Sequence, residues 1–342
     1  MREGGPMAGR STRPTLEEVA ARAGVGRGTV SRVVNGSPRV SARAREAVLR
    51  AIEELGYVPN RAARALVTNR TDTVALVVAE SDQRLFGEPY FAGIIRGIGN
   101  GLAGTGLQLL LALARTPDEY ARLENYLTTQ HVDGVLLTSL HAEDPLPAKL
   151  EANGVPTVLG GRPPGVSPVS YVDVDNRSGA REAVGHLIEG GRRRIGTLAG
   201  PQDMGVGIDR LAGYREALAD AGLPEFVAYG DFGEAGGIAA AEELLAREPE
   251  LDAVFAASDP MALGALRVLR RLGRRVPHDV AVIGFDDSAA APLADPPLSS
   301  VHQSPEEMGV EMARLLISRI QGETLDDPVI ILKPHLVLRD SS

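Results

Sequence analysis

The chain has 342 residues, 44% hydrophobic and 24% charged, with a formal net charge of −9 and no cysteine. This length makes two or three domains with substantial cores, and the lack of cysteine excludes disulfides, thiolate metal sites and cysteine nucleophiles and fits a reducing cytoplasm. No apolar run approaches the ~20 residues of a membrane span, and the basic, polar residues 1–14 lack the apolar stretch of a secretory signal, so a cytoplasmic, nucleoid-associated protein is expected.

Charge is unevenly placed. Residues 1–70 hold 13 Arg, no Lys and six acidic residues, a net of +7, so the other 272 residues carry −16. A small basic head on a large acidic body implies a polyanion-binding module joined to a part that binds something else. Residues 1–13 are expected to be disordered, with Met1 and Met7 both candidate translation starts. Thr15-Leu16-Glu17-Glu18 then forms a capping box. Leu16, Val19, Ala20 and Ala23 follow at helical spacing, and Gly24-Val25-Gly26 breaks the stripe. A second stripe at Val30, Val33 and Val34 ends at Asn35-Gly36. Ser41 caps a third helix with Val48, Ile52 and Leu55 inside and Gly56 just past its end. Residues 14–58 therefore read as an all-α helix-turn-helix domain.

The second helix of such a domain enters the major groove with its N-terminal residues at the base edges. Here these are Arg27, Gly28 and Thr29, with Arg32 a turn later. Arginine's paired donors match guanine O6 and N7, which predicts G·C-biased half-sites; phosphate contact is the alternative role for Arg27 and Arg32. Gly28 reads no base and costs up to ~1 kcal/mol of helix propensity, so close approach of the backbone to DNA is the inferred reason for it. Thr15, Thr29, Ser31 and Asn35 suit phosphates, which set register without specifying sequence. In the linker at 59–70, Pro59 ends the preceding element, Asn60 can cap, and 61–66 is a helix too short to persist alone.

The runs Pro14-Thr15-Leu16-Glu17-Glu18-Val19-Ala20, Val30-Ser31-Arg32-Val33-Val34-Asn35-Gly36, Gly56-Tyr57-Val58-Pro59-Asn60 and Ala63-Arg64-Ala65-Leu66 resemble the DNA-binding head and hinge of the LacI/GalR family of transcriptional regulators. The resemblance implies a dimer whose hinge helices enter the minor groove, where a leucine, here Leu66, wedges between central base pairs and kinks the duplex. Tyr57, Asn60 and Arg64 are further DNA contacts by the same resemblance.

From 71 onward, apolar strand-like runs at 74–79, 107–114, 134–137, 156–159, 195–199, 253–257 and 280–285 alternate with helical stretches at 90–104, 118–130, 209–221, 236–247 and 260–272. This is an α/β body with parallel strands buried on both faces, and Asp173–Asn176 reads as a crossing point. It is similar to the family's periplasmic-binding-protein-like effector domain. That implies two Rossmann-like subdomains joined by three crossovers, expected at 71–172 with 303–328 and at 173–302 with 329–342.

Ligands of open α/β sheets bind beyond the carboxyl ends of the strands. Arg210 lies in Asp209-Arg210-Leu211-Ala212-Gly213-Tyr214, a run that matches a family motif whose arginine binds the effector. Asp286 and Ser258 follow strands, Ser258 standing where the family usually carries Asn. A guanidinium and a carboxylate in one cleft suit a polyhydroxylated ligand, although Arg210 in an interlobe ion pair and Asp286 as a loop cap are the structural alternatives. The chain has only 13 aromatic residues and no Trp; Phe86, Tyr90 and Phe232 are stacking candidates by their place at strand ends, against ordinary core packing. Ser139 and Arg162 complete the candidate effector set.

Phe86-Gly87-Glu88-Pro89-Tyr90-Phe91, Gln130-His131-Val132-Asp133-Gly134-Val135-Leu136-Leu137, Gly160-Gly161-Arg162-Pro163, Gly200-Pro201-Gln202-Asp203-Met204 and Tyr229-Gly230-Asp231-Phe232 resemble the cellobiose-responsive, cellulose-utilisation repressors of actinobacteria. The expectation is a homodimeric repressor of a near-palindromic operator controlled by a disaccharide, with no membrane partner; a corepressor, another sugar or a sugar-transport role are the alternatives. Gly99-Asn100-Gly101-Leu102-Ala103-Gly104 matches GxGxxG but sits late in a helical stretch, where a dinucleotide fingerprint does not belong. Six scattered His show no ligand spacing and no nucleophile-and-base pattern exists, so no cofactor, metal or catalysis is expected. The last residues show no trailing heptads, which predicts a dimer without a coiled-coil tetramer.

Overall fold

The computed structural model describes residues 14–34, 37–58, 70–114, 116–142, 144–162, 170–323 and 328–342. Asn35, Asn60, Arg64 and Leu66, the expected hinge helix and the expected disordered start lie outside the described residues. The chain divides into two compact units, Met1–Thr71 and Asp72–Ser342.

Among the described residues the first unit holds three helices, α1 (Leu16–Ala23), α2 (Arg27–Val34) and α3 (Ala42–Leu55). The Thr15 hydroxyl accepts from the Glu18 amide at 3.3 Å and the Glu18 carboxylate accepts from the Thr15 amide at 2.7 Å, closing the capping box. Gly24 and Gly56 end α1 and α3 in the left-handed region, where a side chain would be strained. Val19, Val30, Val33 and Val48 form the centre of a small core. Tyr57, expected to touch DNA, is 9% exposed and belongs to this core. The chain turns back after Gly56 and lays the ring against the helices, where it adds apolar area to a small core.

The second unit contains two six-stranded sheets. The first is built from β1 (Thr73–Val78), β2 (Gln108–Ala112), β3 (Gly134–Thr138), β4 (Thr157–Gly160), β5 (Tyr171–Val174) and β11 (Val329–Leu332), the second from β6 (Ile195–Ala199), β7 (Phe226–Tyr229), β8 (Ala253–Ala256), β9 (Ala281–Asp286), β10 (Ser299–His302) and β12 (His335–Val337). The orders are β11-β5-β4-β3-β1-β2 and β12-β10-β9-β8-β6-β7, parallel except that β12 runs antiparallel to β10. Between the strands lie α4 (Asp82–Gly87), α5 (Pro89–Leu102), α6 (Pro117–Thr128), α7 (Leu146–Ala152), α8 (Asn176–Glu189), α9 (Gly205–Ala221), α10 (Glu234–Arg247), α11 (Asp259–Arg271) and α12 (Pro305–Gln321). Val74, Leu76 and Val78 enter one core while Ala75 and Val77 enter the core on the other face. That two-sided burial is why β1 reads as an unbroken apolar run.

The chain passes between lobes three times, at positions slightly different from those expected. β5 stays in the first sheet to Val174, and α8 then packs in the second lobe through Ala180, Val184 and Leu187. β10 leads to α12, whose Met308, Met312 and Leu316 fill the first lobe. Segment 329–342 was assigned whole to the second lobe. Instead β11 pairs with β5, Val329 opposite Tyr171 and Leu332 opposite Val174, and only β12 joins the second sheet. The Val-Ile-Ile-Leu run finds its apolar environment beside β5, so the last crossing falls at Lys333–Pro334.

Glycines set the approach of α5 to α12. A Cβ on Gly97 would stand 2.0 Å from the Glu306 carbonyl oxygen, one on Gly101 2.7 Å from Ala313 Cβ, and one on Gly309 of α12 2.4 Å from the Ile94 carbonyl oxygen. Gly101 of the GxGxxG pattern thus serves helix packing, while Gly99 faces open space. We expect Gly97→Ala to lower stability by about 1–3 kcal/mol, as overpacking does, and Gly99→Ala to raise it by up to ~1 kcal/mol through helix propensity. Thermal and urea unfolding of the two variants measures both, and equal effects would show that the seam is looser than drawn.

Candidate functional site

Two surfaces carry chemistry, one on each unit. On the first, α2 begins at Arg27, and Arg27, Gly28 and Arg32 are exposed while Thr29 and Ser31 are half-buried. A Cβ on Gly28 would meet only Arg32 Nη2, at 4.0 Å, so Gly28 and Arg32 share one face and the fold itself does not need a glycine there. Arg27 lies 3.1 Å from Glu17, both largely exposed, a pairing weak enough to yield to a stronger anion. Thr15 is exposed but its hydroxyl serves the α1 cap.

In the second unit the carboxyl ends of both sheets open onto one cleft of about 1130 Å³. Its walls come from the turns after β1, β3 and β4 in the first lobe and after β6 to β10 in the second, the expected place in open α/β sheets. Among the described residues six non-glycine positions have positive φ, and four of them, Ser139, Phe232, Asp286 and Asp287, line this cleft. Backbone strain concentrated in this way is typical of sites where side-chain position matters more than local stability.

Arg210, on the first turns of α9, is only 4% exposed. Its Nε donates to Asn176 Oδ1 at 2.9 Å, and its Nη1 donates to the Ala257 carbonyl at 2.6 Å and lies 3.5 Å from Asp286 Oδ1. The guanidinium carbon sits 3.6 Å over the Phe285 ring. Burial lowers its pKa, but an arginine remains a cation in proteins. Asp286 also accepts from Gln303 Nε2 at 2.5 Å; burial raises its pKa, against the pull of Arg210. Beside it the fully buried Asp259 accepts from the Ser288 amide and the Ser300 hydroxyl, and burial, then the neighbouring Asp286, raises its pKa too.

The Phe232 ring packs on Gly200, where a Cβ would fall 2.3 Å from the ring. The guanidinium carbons of Arg210 and of Arg84, from opposite lobes, each stand 5.8 Å from its centroid. Arg84 on α4 is gripped by Glu80 at 2.5 Å and Glu88 at 2.8 Å; these carboxylates outweigh burial and raise its pKa. Ser139 donates to Glu80 at 2.7 Å. Tyr90 points its hydroxyl toward Met308 Sδ at 3.4 Å, and burial raises its pKa. Asp173, bonded to the Val174 amide and Asn176, is pushed up to about 6 by burial. Three contacts bridge the cleft rim among the described residues: Arg162 to Asp209 at 2.8 Å, His141 to Asp203 at 2.6 Å, and the Ala142 amide to the Asp203 carbonyl at 2.8 Å.

Of the candidates, Tyr90, Ser139, Arg162, Arg210, Phe232, Ser258 and Asp286 line the cleft, and Phe86 does not. Phe86 is 71% exposed, because α4 turns Leu85 into the core and Arg84 toward the cleft, which leaves the next side chain outward. Ser258 reaches the wall but its proton is committed: the hydroxyl donates to the Phe232 carbonyl at 2.7 Å and accepts from the Met261 amide as the α11 cap. It holds the turn that carries Phe232. Sequence reasoning missed Glu80, Arg84 and Glu88, whose i, i+4 spacing was the available signal, and Gln303, for which there was none.

A family model for bacterial regulatory proteins of the lacI family matches residues 15–60, and one for the periplasmic binding protein-like domain matches 184–342. The chain is 61% identical over 337 residues to the HTH-type transcriptional regulator CelR of Thermobifida fusca, covering 97% of this chain and 99% of that protein. It is 33% identical to the HTH-type transcriptional repressor CytR of Escherichia coli K12, covering 97% of each. Among solved structures it is similar to a transcriptional regulator CelR–cellobiose complex, at 59% identity and TM-score 0.78 over 96% of this chain and all of the other. It is also similar to the lac repressor dimer bound to operator and the anti-inducer ONPF, at 28% identity and TM-score 0.83 over 96% and 99%. Among the described residues no helix is long and apolar enough to cross a membrane. With its helix-turn-helix head and two-lobed parallel-sheet body, the chain belongs to the lacI family of bacterial regulatory proteins and is a DNA-binding transcriptional regulator.

Proposed function

We propose that this regulator is a homodimeric repressor whose operator affinity is set by cellobiose or a related β-glucoside held in the cleft. The observation that carries the reading is the buried Arg210–Asp286 pair at the strand ends. It offers fixed donors and acceptors beside the Phe232 ring, the combination that hydroxyls and a pyranose face require. The similarity to a cellobiose-bound relative supports the choice of sugar. Tyr90, Ser139, Arg162 and Asp286 supply further contacts, and Ser258 acts by fixing Phe232.

On the head, Arg27 and Arg32 read G·C-biased half-sites, and two heads related by a two-fold axis demand a near-palindromic operator. Leu66 is the minor-groove wedge that bends it. Sugar binding draws the lobes together, shifts the dimer contact of the first lobes and separates the hinges, so the sugar acts as an inducer.

Linkage then requires operator DNA to weaken sugar binding by the factor by which sugar weakens operator binding, typically about 5–150-fold. Calorimetry with and without a palindromic duplex measures this, and equal affinities would exclude the inducer mechanism. Arg210→Lys keeps the charge but loses the planar fork that reaches Asn176, Ala257 and Asp286 together. It should weaken cellobiose at least about tenfold, roughly 1.4 kcal/mol, while a gel shift still shows operator binding that sugar no longer releases. Gly28→Ala, which the fold accommodates, should leave or raise thermal stability yet cut operator affinity, since only DNA comes close to that Cα; unchanged affinity in the gel shift would count against close approach.

A further inference from the structure

We propose that the cleft selects uncharged sugars and rejects their phosphorylated or oxidised, anionic forms. This rests on the effector reading above and narrows it to a ligand class.

Strong recognition of a phosphate or carboxylate needs a cation with donors to spare, set in a positive local field. Among the described residues five arginines line the cleft, each beside a carboxylate; the pairs of Arg84 and Arg210 are largely buried, while those of Arg96, Arg162 and Arg267 are exposed at the rim, where solvent and salt screen any charge. Arg84 is paired with Glu80 and Glu88, Arg162 with Asp209 at 2.8 Å, Arg210 with Asp286, Arg267 with Glu234 at 2.7 Å, and Arg96 with Glu306 at 3.6 Å. Among the described residues seven carboxylates line the same walls, two more than the arginines, so their formal charges sum to a negative value before any ligand arrives. Asp173 and Asp231 provide that excess. The bonds to Asp173 come from the Val174 amide and Asn176, and the Gly233 amide donates to Asp231. Asp287, also in the wall, is matched by Arg339 at 2.6 Å.

Helix N-termini are the other general anion site, and several open on this cleft. Here each first turn or cap carries its own anion: Glu88 caps α5, Glu234 begins α10, Asp259 begins α11 and Glu306 lies in the first turn of α12. At α9 the Arg162 carbonyl oxygen closes on Gly205, where it would lie 2.1 Å from a Cβ. A neutral sugar meets no such obstacle. A carboxylate has about four lone-pair sites, so the cleft carboxylates keep room to accept from sugar hydroxyls, whereas an ionised phosphate or carboxylate has no proton to give them.

The test is calorimetry on the full chain with cellobiose, cellobionate, cellobiitol and a 6-phosphorylated cellobiose. Cellobiitol opens the reducing-end ring as cellobionate does but carries no charge. Cellobiose and cellobiitol should bind within about tenfold of each other, and both anions at least about 100-fold more weakly than their neutral counterparts. Glu88→Gln, which frees part of Arg84, should narrow that gap by about tenfold, with an unchanged thermal unfolding midpoint as the check that the variant is folded. Anions binding within tenfold of the neutral forms, or more tightly, would overturn the proposal. If another neutral disaccharide binds in place of cellobiose and its phosphate does not, the selection stands and the β-glucoside reading falls. If only phosphorylated sugars bind, both fall.

Discussion

Arg210 is a cation removed from water, and the protein must replace its hydration shell. It does so with Asn176, the Ala257 carbonyl, Asp286 and the face of Phe285. Leaving any of these groups out would strand a buried charge, at a cost of several kcal/mol. The requirement fixes where α9 starts, how β8 and β9 end and why Asp286 tolerates a φ of 112°. One of its partners, and one of Asp286's, lie where the chain changes lobe: Asn176 opens α8 after the first crossing, and Gln303, which bonds Asp286, follows β10 at the second. A ligand that engages Arg210 or Asp286 therefore acts on the residues about which the lobes turn.

The contacts across the cleft rim are of another kind. Arg162–Asp209 and His141–Asp203 are partly exposed pairs, and such pairs contribute little individually. Within each lobe, by contrast, the glycine seam of α5 and α12 and the two-sided cores leave no room for adjustment. Stiff lobes joined by weak rim contacts make an equilibrium that a few new hydrogen bonds can shift, because a ligand moves such a balance by its differential affinity for the two states.

Much of this was legible in the chain. The capping box at Thr15, the helical stripes and the terminal glycines Gly24 and Gly56 located the head, because local interactions decide helix ends. Long apolar runs located the central strands because burial on both faces favours apolar side chains and admits only small polar ones such as Thr138 and Thr197. The short strands β5, β7, β10, β11 and β12 went unread: with three or four residues each, several of them polar like Asp173, Ser299 and His335, they are strands only by virtue of their neighbours. Phe86 and Tyr57 show what position in the chain does not convey. Residue type and position suggested ligand contact for both, but one helix turn faces Phe86 outward and the turn after Gly56 takes Tyr57 inward.

From its linear order alone this protein declared a basic helical reader, an alternating α/β receptor and an arginine destined for the receptor's binding face. The reader and the receptor follow from periodicity, capping and charge, which neighbouring residues dictate; the arginine follows from the resemblance of its run to a family motif. Only the folded arrangement decided which carboxylate answers each arginine, and that the cleft is left with more negative than positive groups. Apart from Arg84, whose two carboxylates lie four positions away, those pairings join residues tens to more than a hundred positions apart, such as Arg210 with Asp286 and Arg96 with Glu306, and their strength depends on burial and distance, which exist only once the lobes have packed.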